Sequence, residues 1–197
     1  MDKLAEKIPL SRLFALSGQG GDRRCRPVTG GARFSLRVPQ ASAGAAGEAL
    51  GLDLTGPINR AVSAGQRTAL RLGPDEWLLL LAEADAAAVA ASLAQRLTDG
   101  LYSLADISHR QTGIALEGAT VTDILNGGCP LDFDLAAFPA GMATRTIFFK
   151  AEIVLWRQSE TRFHLEVWRS FAPYVWGLIS TIGREYRDGP LPPSAPD

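Results

Sequence analysis

The chain has 197 residues, 46% of them hydrophobic and 21% charged, which is ordinary for a globular protein and excludes a disordered one. A net charge of −1 excludes the bulk electrostatics of a general nucleic-acid binder. Two cysteines and two histidines, none at zinc spacing, exclude a disulfide framework, and we expect no metal site. No apolar run is long enough for a signal peptide or a membrane span, so we expect a cytoplasmic protein without membrane contact.

The first half of the chain predicts a strand, a helix, two strands and a second helix. Ser42 begins an Ala- and Gly-rich helical stretch that ends near Gly51. Asp85 begins a second helix, which Gly100 ends. The apolar residues of this second helix, Val89, Leu93 and Leu97, share one face. The three strands read RFSLRV, RTALRL and WLLLLA, the last two separated by the turn GPDE.

The second half repeats the same order. Thr120 begins a short helix that stops at Gly127-Gly128, and Ser170 begins the last one. Trp77 and Phe163 hold matching places, because each follows an acidic turn and opens a strand. The strands of this half read QTGIALEG, EIVLWRQ and RFHLEVW.

Two βαββα units, offset by about eighty residues, indicate an internal duplication. We therefore predict an α+β fold of antiparallel sheets with helices on one face. The predicted single domain covers residues 31–187, with pseudo-repeats at about 31–100 and 110–187. Residues 1–30 are expected to be a partly flexible N-terminal segment, and 188–197 a Pro-rich tail.

With these elements in place, the chain resembles the gamma subunit of heterotetrameric sarcosine oxidase over about Pro9 to Tyr186. Part of the resemblance extends to the wider folate-binding family of the glycine-cleavage T-protein, which implies a folate-binding aminomethyltransferase-like fold. The C-terminal stretch makes the gamma-subunit reading specific. The stretches that carry it are LGPDEWLLL, DISHRQTGIALEGATVTDILNGGCPLDF and FHLEVWRSFAPYVWGLI.

The resemblance implies a complex of alpha, beta, gamma and delta subunits that oxidises sarcosine to glycine. Such a complex forms hydrogen peroxide and passes the methyl carbon to tetrahydrofolate. It implies FAD, FMN, NAD, tetrahydrofolate and zinc in other subunits and no cofactor in this chain. The chain is accordingly expected to be a non-catalytic structural subunit.

The polar cluster Asp106, Ser108, His109 and Arg110 is a candidate site. On a strand, Asp106 and Ser108 point to one face and His109 to the other, so an Asp–His–Ser relay is disfavoured. We predict a strand connection capped by Asp106. Asp106, Ser108 and Arg110 remain weak candidates for a ligand pocket.

The resemblance to T-protein also implies a pair of acids just after the middle strand. Here Lys150 and Ala151 occupy that place, and only Glu152 could substitute, as the fourth pocket candidate. A basic side chain would repel a cationic iminium, which argues against methyl-transfer chemistry. The alternatives are a free-standing folate-dependent aminomethyltransferase-like or folate-binding protein, and a scaffold for an unrelated enzyme.

Two tryptophans and one histidine complete the predictions. Trp176 lies about 130° from the centre of an apolar stripe in the last helix, and Trp168 shares a strand face with His164 and Glu166. We predict that Trp168 and Trp176 face partner subunits, against the alternative that a second layer of the same domain covers them. His164 is expected to be solvated or paired rather than a metal ligand.

Overall fold

The structure, a computed structural model, describes residues 25–28, 30–98 and 100–186. Its helices are α1 (Ala43–Leu50), α2 (Ala86–Arg96), α3 (Val121–Asn126) and α4 (Ala172–Ile182). Its strands are β1 (Cys25–Val28), β2 (Ala32–Arg37), β3 (Arg60–Ala64), β4 (Arg67–Arg71), β5 (Glu76–Leu81), β6 (Ser103–Asp106), β7 (Gln111–Glu117), β8 (Ala143–Phe148), β9 (Ala151–Ser159) and β10 (Arg162–Trp168).

The strands form two five-stranded antiparallel sheets with equivalent orders. The first sheet runs β3-β4-β5-β2-β6 and the second runs β8-β9-β10-β7-β1. Each sheet takes its last strand from the segment that precedes the other half: β1 pairs with β7, and β6 pairs with β2. The two halves are therefore joined by an exchange of edge strands.

The molecule has four layers, helices–sheet–sheet–helices, because both faces of each sheet are covered. Strand alternation sends Trp77, Leu79 and Leu81 of β5 into a core with α1 and α2. It sends Phe163, Leu165 and Val167 of β10 into a core with α3 and α4. The opposite faces meet in a third apolar cluster, formed by Leu70, Leu78, Ile107, Ala143 and Val154.

The predicted fold class, duplicated α+β with helices on one face of each sheet, is confirmed. Three helices begin where the sequence predicts, after Ser42, Asp85 and Thr120. The residue that precedes the last helix is Phe171 rather than Ser170. β3 and β6 were not predicted, because both are largely exposed edge strands without apolar alternation. β1 and β8 were missed as well.

The N-terminal boundary needs a correction. Cys25–Val28 were assigned to a segment outside the domain, yet they form β1 and pair residue by residue with β7. Cys25 is accordingly buried in a sheet. The remainder of the predicted N-terminal segment and the Pro-rich tail lie outside the described residues.

Within the described ranges, no helix is long and apolar enough to cross a membrane.

Candidate functional site

Three ionisable side chains meet between the two sheets: Arg33 of β2, and His164 and Glu166 of β10. Arg33 Nε donates to Glu166 Oε2 at 2.8 Å, and His164 Nε2 lies 2.8 Å from Glu166 Oε1. The exposed fractions are 5% for Arg33, 7% for His164 and 1% for Glu166. We call these three residues the buried triad. It links the two halves through residues that are 133 positions apart.

The carboxyl of Glu166 is ionised in this setting. Burial by itself raises the pKa of Glu166, but the His164 hydrogen bond and the charges of His164 and Arg33 outweigh burial, so the pKa lies below the usual value. A carboxylate only accepts hydrogen bonds, so His164 Nε2 is the donor. The other ring nitrogen of His164 is hydrogen-bonded to no protein group within the described residues.

A glycine on the neighbouring strand makes room for the triad. Gly113 of β7 pairs with Glu166, and a Cβ at this position would lie 2.8 Å from Glu166 Oε1 and 3.1 Å from an Arg33 terminal nitrogen. Contacts this short force a shift of the neighbouring atoms. The sequence QTGIALE therefore places its glycine where the ion pair needs space.

Beside the triad lies a cavity of about 500 Å³, which we call the inter-sheet cavity. Its inner wall includes the buried triad, Trp156 and Leu80. Its exposed lining residues include Ser63, Gln66 and Gln158. The Trp156 and His164 rings lie with their centroids 6.1 Å apart. This size is within the range of small-molecule sites.

The predicted turn at Asp106 is confirmed. Asp106 Oδ1 accepts a hydrogen bond from the Ser108 N–H at 2.8 Å, and hydrogen bonds from Ser108 hold the pKa of Asp106 below its usual value. Ser108 Oγ in turn accepts from the backbone N–H of Arg33 at 2.9 Å. These two side chains attach the end of β6 to β2, which is an architectural role.

The four pocket candidates predicted from the sequence do not lie together at one site. Asp106 and Ser108 line a second groove of about 470 Å³ together with His109. Arg110 instead lies over the Trp168 ring, with its Cζ 5.0 Å from the centroid. Glu152 lies elsewhere, on β9, where it forms an exposed ion pair with Arg145 at 3.6 Å.

The Lys150 region is a tight β-hairpin. Phe148 pairs with Ala151, so Phe149 and Lys150 form the two-residue turn between β8 and β9, and Phe149 has a φ of 51°. Positive φ is the backbone conformation that such two-residue hairpins require. The place where the T-protein resemblance implies an acid pair is therefore the tip of a hairpin.

The prediction for Trp176 is wrong in its placement. Trp176 is 5% exposed and belongs to the core of the second half, because α4 buries Ala172, Val175, Trp176 and Ile179. Two other large side chains of this segment, Phe171 and Tyr174, are exposed instead. Since α4 is apolar on nearly every side, its sequence did not determine which face packs. Trp168 is 43% exposed, as its predicted role requires.

His164 is paired, as predicted, but it is not solvated. The polar face of β10 meets the first sheet at His164 and Glu166. Arg33 was missed altogether. Arg33 lies on the polar face of RFSLRV and Glu166 on the polar face of RFHLEVW, so the alternation gave no signal that the two faces meet.

The two free cysteines supply no reactive site. Cys129 is buried and lies 3.6 Å from Thr146 Oγ1, and burial raises the pKa of its thiol. Across the part of the chain that the structure describes, no group of three or more His, Cys, Asp or Glu side chains could hold a metal ion.

Comparisons with known proteins agree with this architecture. The family model described as "Sarcosine oxidase, gamma subunit family" matches residues 37–185. Sarcosine oxidase subunit gamma from Corynebacterium sp. (strain P-1) is 27% identical over 185 residues, covering 92% of this chain and 90% of that protein.

Two solved structures share the fold. A chain of heterotetrameric sarcosine oxidase from Corynebacterium sp. U-96, in complex with pyrrole 2-carboxylate, aligns with a TM-score of 0.82 at 22% identity, over 92% of this chain and 97% of that chain. The glycine cleavage system aminomethyltransferase T from Bartonella henselae aligns with a TM-score of 0.58 at 13% identity, over 79% of this chain and 44% of that one. Because the family model spans most of its length, the chain belongs to the sarcosine oxidase gamma subunit family.

Proposed function

We propose that the chain is a non-catalytic structural subunit of a heterotetrameric sarcosine oxidase, with alpha, beta and delta subunits as its partners. The complex would convert sarcosine to glycine in the cytoplasm and form hydrogen peroxide and 5,10-methylenetetrahydrofolate. FAD, FMN, NAD, tetrahydrofolate and zinc would then be held by the other subunits. Family membership supports the proposal, as does the match to a chain of a heterotetrameric enzyme along almost its full length.

The observation that carries the structural role is the geometry of the buried triad. Both carboxylate oxygens of Glu166 are engaged, one by Arg33 and the other by His164. A general base has to reach its substrate with a free lone pair and exchange a proton with it. A carboxylate fixed between Arg33 and His164 serves better to hold two sheets together.

The surface offers a place for a partner. Trp168, Phe171 and Tyr174 are large apolar side chains that remain exposed where β10 passes into α4. We call them the aromatic patch. Arg110 covers one of its rings. Exposed aromatic and arginine side chains grouped in this way are enriched at the anchors of protein interfaces.

Co-expression tests the assembly role. The alpha, beta and delta subunits are produced with and without this chain, and size-exclusion chromatography and sarcosine-dependent peroxide formation are measured. We expect the complete complex only when the chain is present. The chain purified alone should show neither flavin absorbance nor peroxide formation. Turnover by the isolated chain, or an active complex that assembles without it, contradicts the proposal.

Trp168→Ala tests the aromatic patch. We expect assembly to weaken by about 2 kcal/mol, as for an interface anchor, while unfolding of the isolated chain changes by less than about 1 kcal/mol. Affinity is measured by titrating the chain into the other three subunits, and stability by urea denaturation. The matched control is Ile58→Ala, which removes an equally exposed apolar side chain from the first half. Equal affinity for wild type and Trp168→Ala would exclude the patch.

The folate-binding alternative is tested by calorimetry with tetrahydrofolate. Binding at micromolar strength, about −8 kcal/mol, would favour a folate-binding protein over a structural subunit.

A further inference from the structure

We propose that the inter-sheet cavity is a binding site for a small organic acid, with one carboxylate and an apolar body. The proposal does not depend on the role of the chain in an oxidase complex. It rests on the atoms of the cavity wall that are left without protein partners.

The first observation concerns His164, which lines the cavity and is more than nine-tenths buried. Its Nε2 donates to Glu166, and its second nitrogen is hydrogen-bonded to no protein group within the described residues. The second nitrogen therefore leaves a polar position on the cavity wall that a group from outside the protein can occupy.

The second observation concerns Arg33, whose guanidinium lines this cavity. Its Nε donates to Glu166, and one terminal nitrogen donates to the carbonyls of Gly30 and Gly31 at 3.2 and 3.3 Å. The other terminal nitrogen donates to no residue in the described ranges. A guanidinium has five N–H groups and no acceptor, so the open position fits an anionic oxygen.

The rest of the wall explains the preference for an acid with an apolar body. In the described part of the chain, Glu166 is the one carboxylate in the lining, and both of its oxygens are already engaged. The Trp156 ring lines the cavity, and its indole N–H is enclosed without an acceptor among the described residues. Leu80 and the Trp156 ring supply an apolar wall. Donors on one side and an apolar surface on the other complement a carboxylate attached to a hydrocarbon or an aromatic ring.

Access is through polar, exposed residues. Ser63, Gln66 and Gln158 line the same cavity and are exposed. A substitution at Gln158 can therefore change the charge near the cavity without disturbing a core. Gln95, which is exposed on α2 and does not line the cavity, provides the same change of chemistry elsewhere.

The experiment uses the full chain with benzoate as the probe and benzamide as its neutral match. Binding is followed by the indole N–H signal of Trp156 in a ¹H–¹⁵N spectrum, which is assigned with Trp156→Phe. We expect a saturable shift with benzoate at a Kd of about 1 mM or tighter. Benzamide should bind at least about tenfold more weakly, because it lacks the charge that the Arg33 guanidinium recognises.

The variants localise the site. Gln158→Glu should weaken benzoate at least about fivefold, because a negative charge at the cavity repels the carboxylate. Gln95→Glu should leave the affinity unchanged. A Trp156 signal that does not move up to about 10 mM benzoate overturns the proposal. So do equal affinities for benzoate and benzamide, or equal losses in the two glutamate variants.

Discussion

The two halves of the molecule have the same strand order but divide their chemistry unequally. In both, an arginine at the same cross-strand position lies over an aromatic ring that opens the next strand: Arg71 over Trp77 and Arg157 over Phe163, each with its Cζ 5.0 Å from the ring centroid. Both arginines donate to carbonyls of the loop between a helix and the next strand. In each half, an arginine thus holds the loop between a helix and the next strand.

The buried triad, by contrast, occurs once. In the first half Arg33 pairs across the sheet with Leu80, and in the second half the corresponding pair is Gly113 with Glu166. One half supplies a long cation and a leucine, and the other supplies an acid and a glycine. The repeated topology therefore keeps the same contacts buried within each half, whereas the contact between the halves is asymmetric.

The largest expected loss of stability comes from removing the carboxylate of Glu166. Glu166→Gln leaves the buried charge of Arg33 without a partner and should lower the free energy of unfolding by about 3–5 kcal/mol. Urea denaturation of the isolated chain measures the change. Glu152→Gln, which removes an exposed acid from a 3.6 Å ion pair, should change stability by less than about 0.5 kcal/mol. Similar losses in both variants would mean that the triad does not join the halves.

The pH dependence of stability tests whether Glu166 is the ionised group. Because the folded-state pKa of Glu166 lies below the usual 4.5, its contribution is complete above that pH and is lost as the pH falls through the folded pKa. The difference in stability between wild type and Glu166→Gln should therefore be constant near neutrality and shrink in acid. A difference that grows below pH 4.5 contradicts this assignment.

A smaller effect is expected at the repeated arginines. Arg157→Met leaves the carbonyls of Phe133 and Phe138 without their donor and should cost about 2 kcal/mol or more. Arg71→Met should cost a similar amount, because Arg71 holds the carbonyls of Gly56 and Pro74. Denaturation midpoints compare the pair, with the exposed Arg162→Met as control. A large loss in one half and none in the other would show that the two arginines are not equivalent.

The smallest loss of stability is expected at Gly113, which leaves space for the buried triad. Gly113→Ala should cost about 1–2 kcal/mol, because the new methyl group lies too close to Glu166, Arg33 and Val28. Gly44→Ala, in α1 with nothing within 4 Å of the new Cβ, should be neutral or stabilising by up to about 1 kcal/mol. Thermal melting measures both. A Gly113→Ala variant as stable as wild type would mean that the triad can shift without cost.

The sequence could predict those structural features that are determined by residues next to one another in the chain. The duplication and the strands β4, β5, β9 and β10 follow from apolar runs and turn residues that lie next to one another. The pairing of Arg33 with Glu166 could not follow, because nothing near either residue indicates that two polar strand faces meet. The prediction for Trp176 was wrong for another reason. Because α4 is apolar around most of its circumference, the sheet beneath it determines which face is buried.

The exchanged edge strands also fix the order of events during synthesis. Cys25 of β1 pairs with Leu116, so β1 leaves the ribosome roughly 90 residues before its partner, a wait of about 5–18 s at ordinary translation rates. Until β6 has been made, the first sheet likewise has an open edge at β2, and such edges attract other chains. The first sheet can close as soon as β6 is made, whereas β1 has to stay unpaired until β7 of the second half has been made.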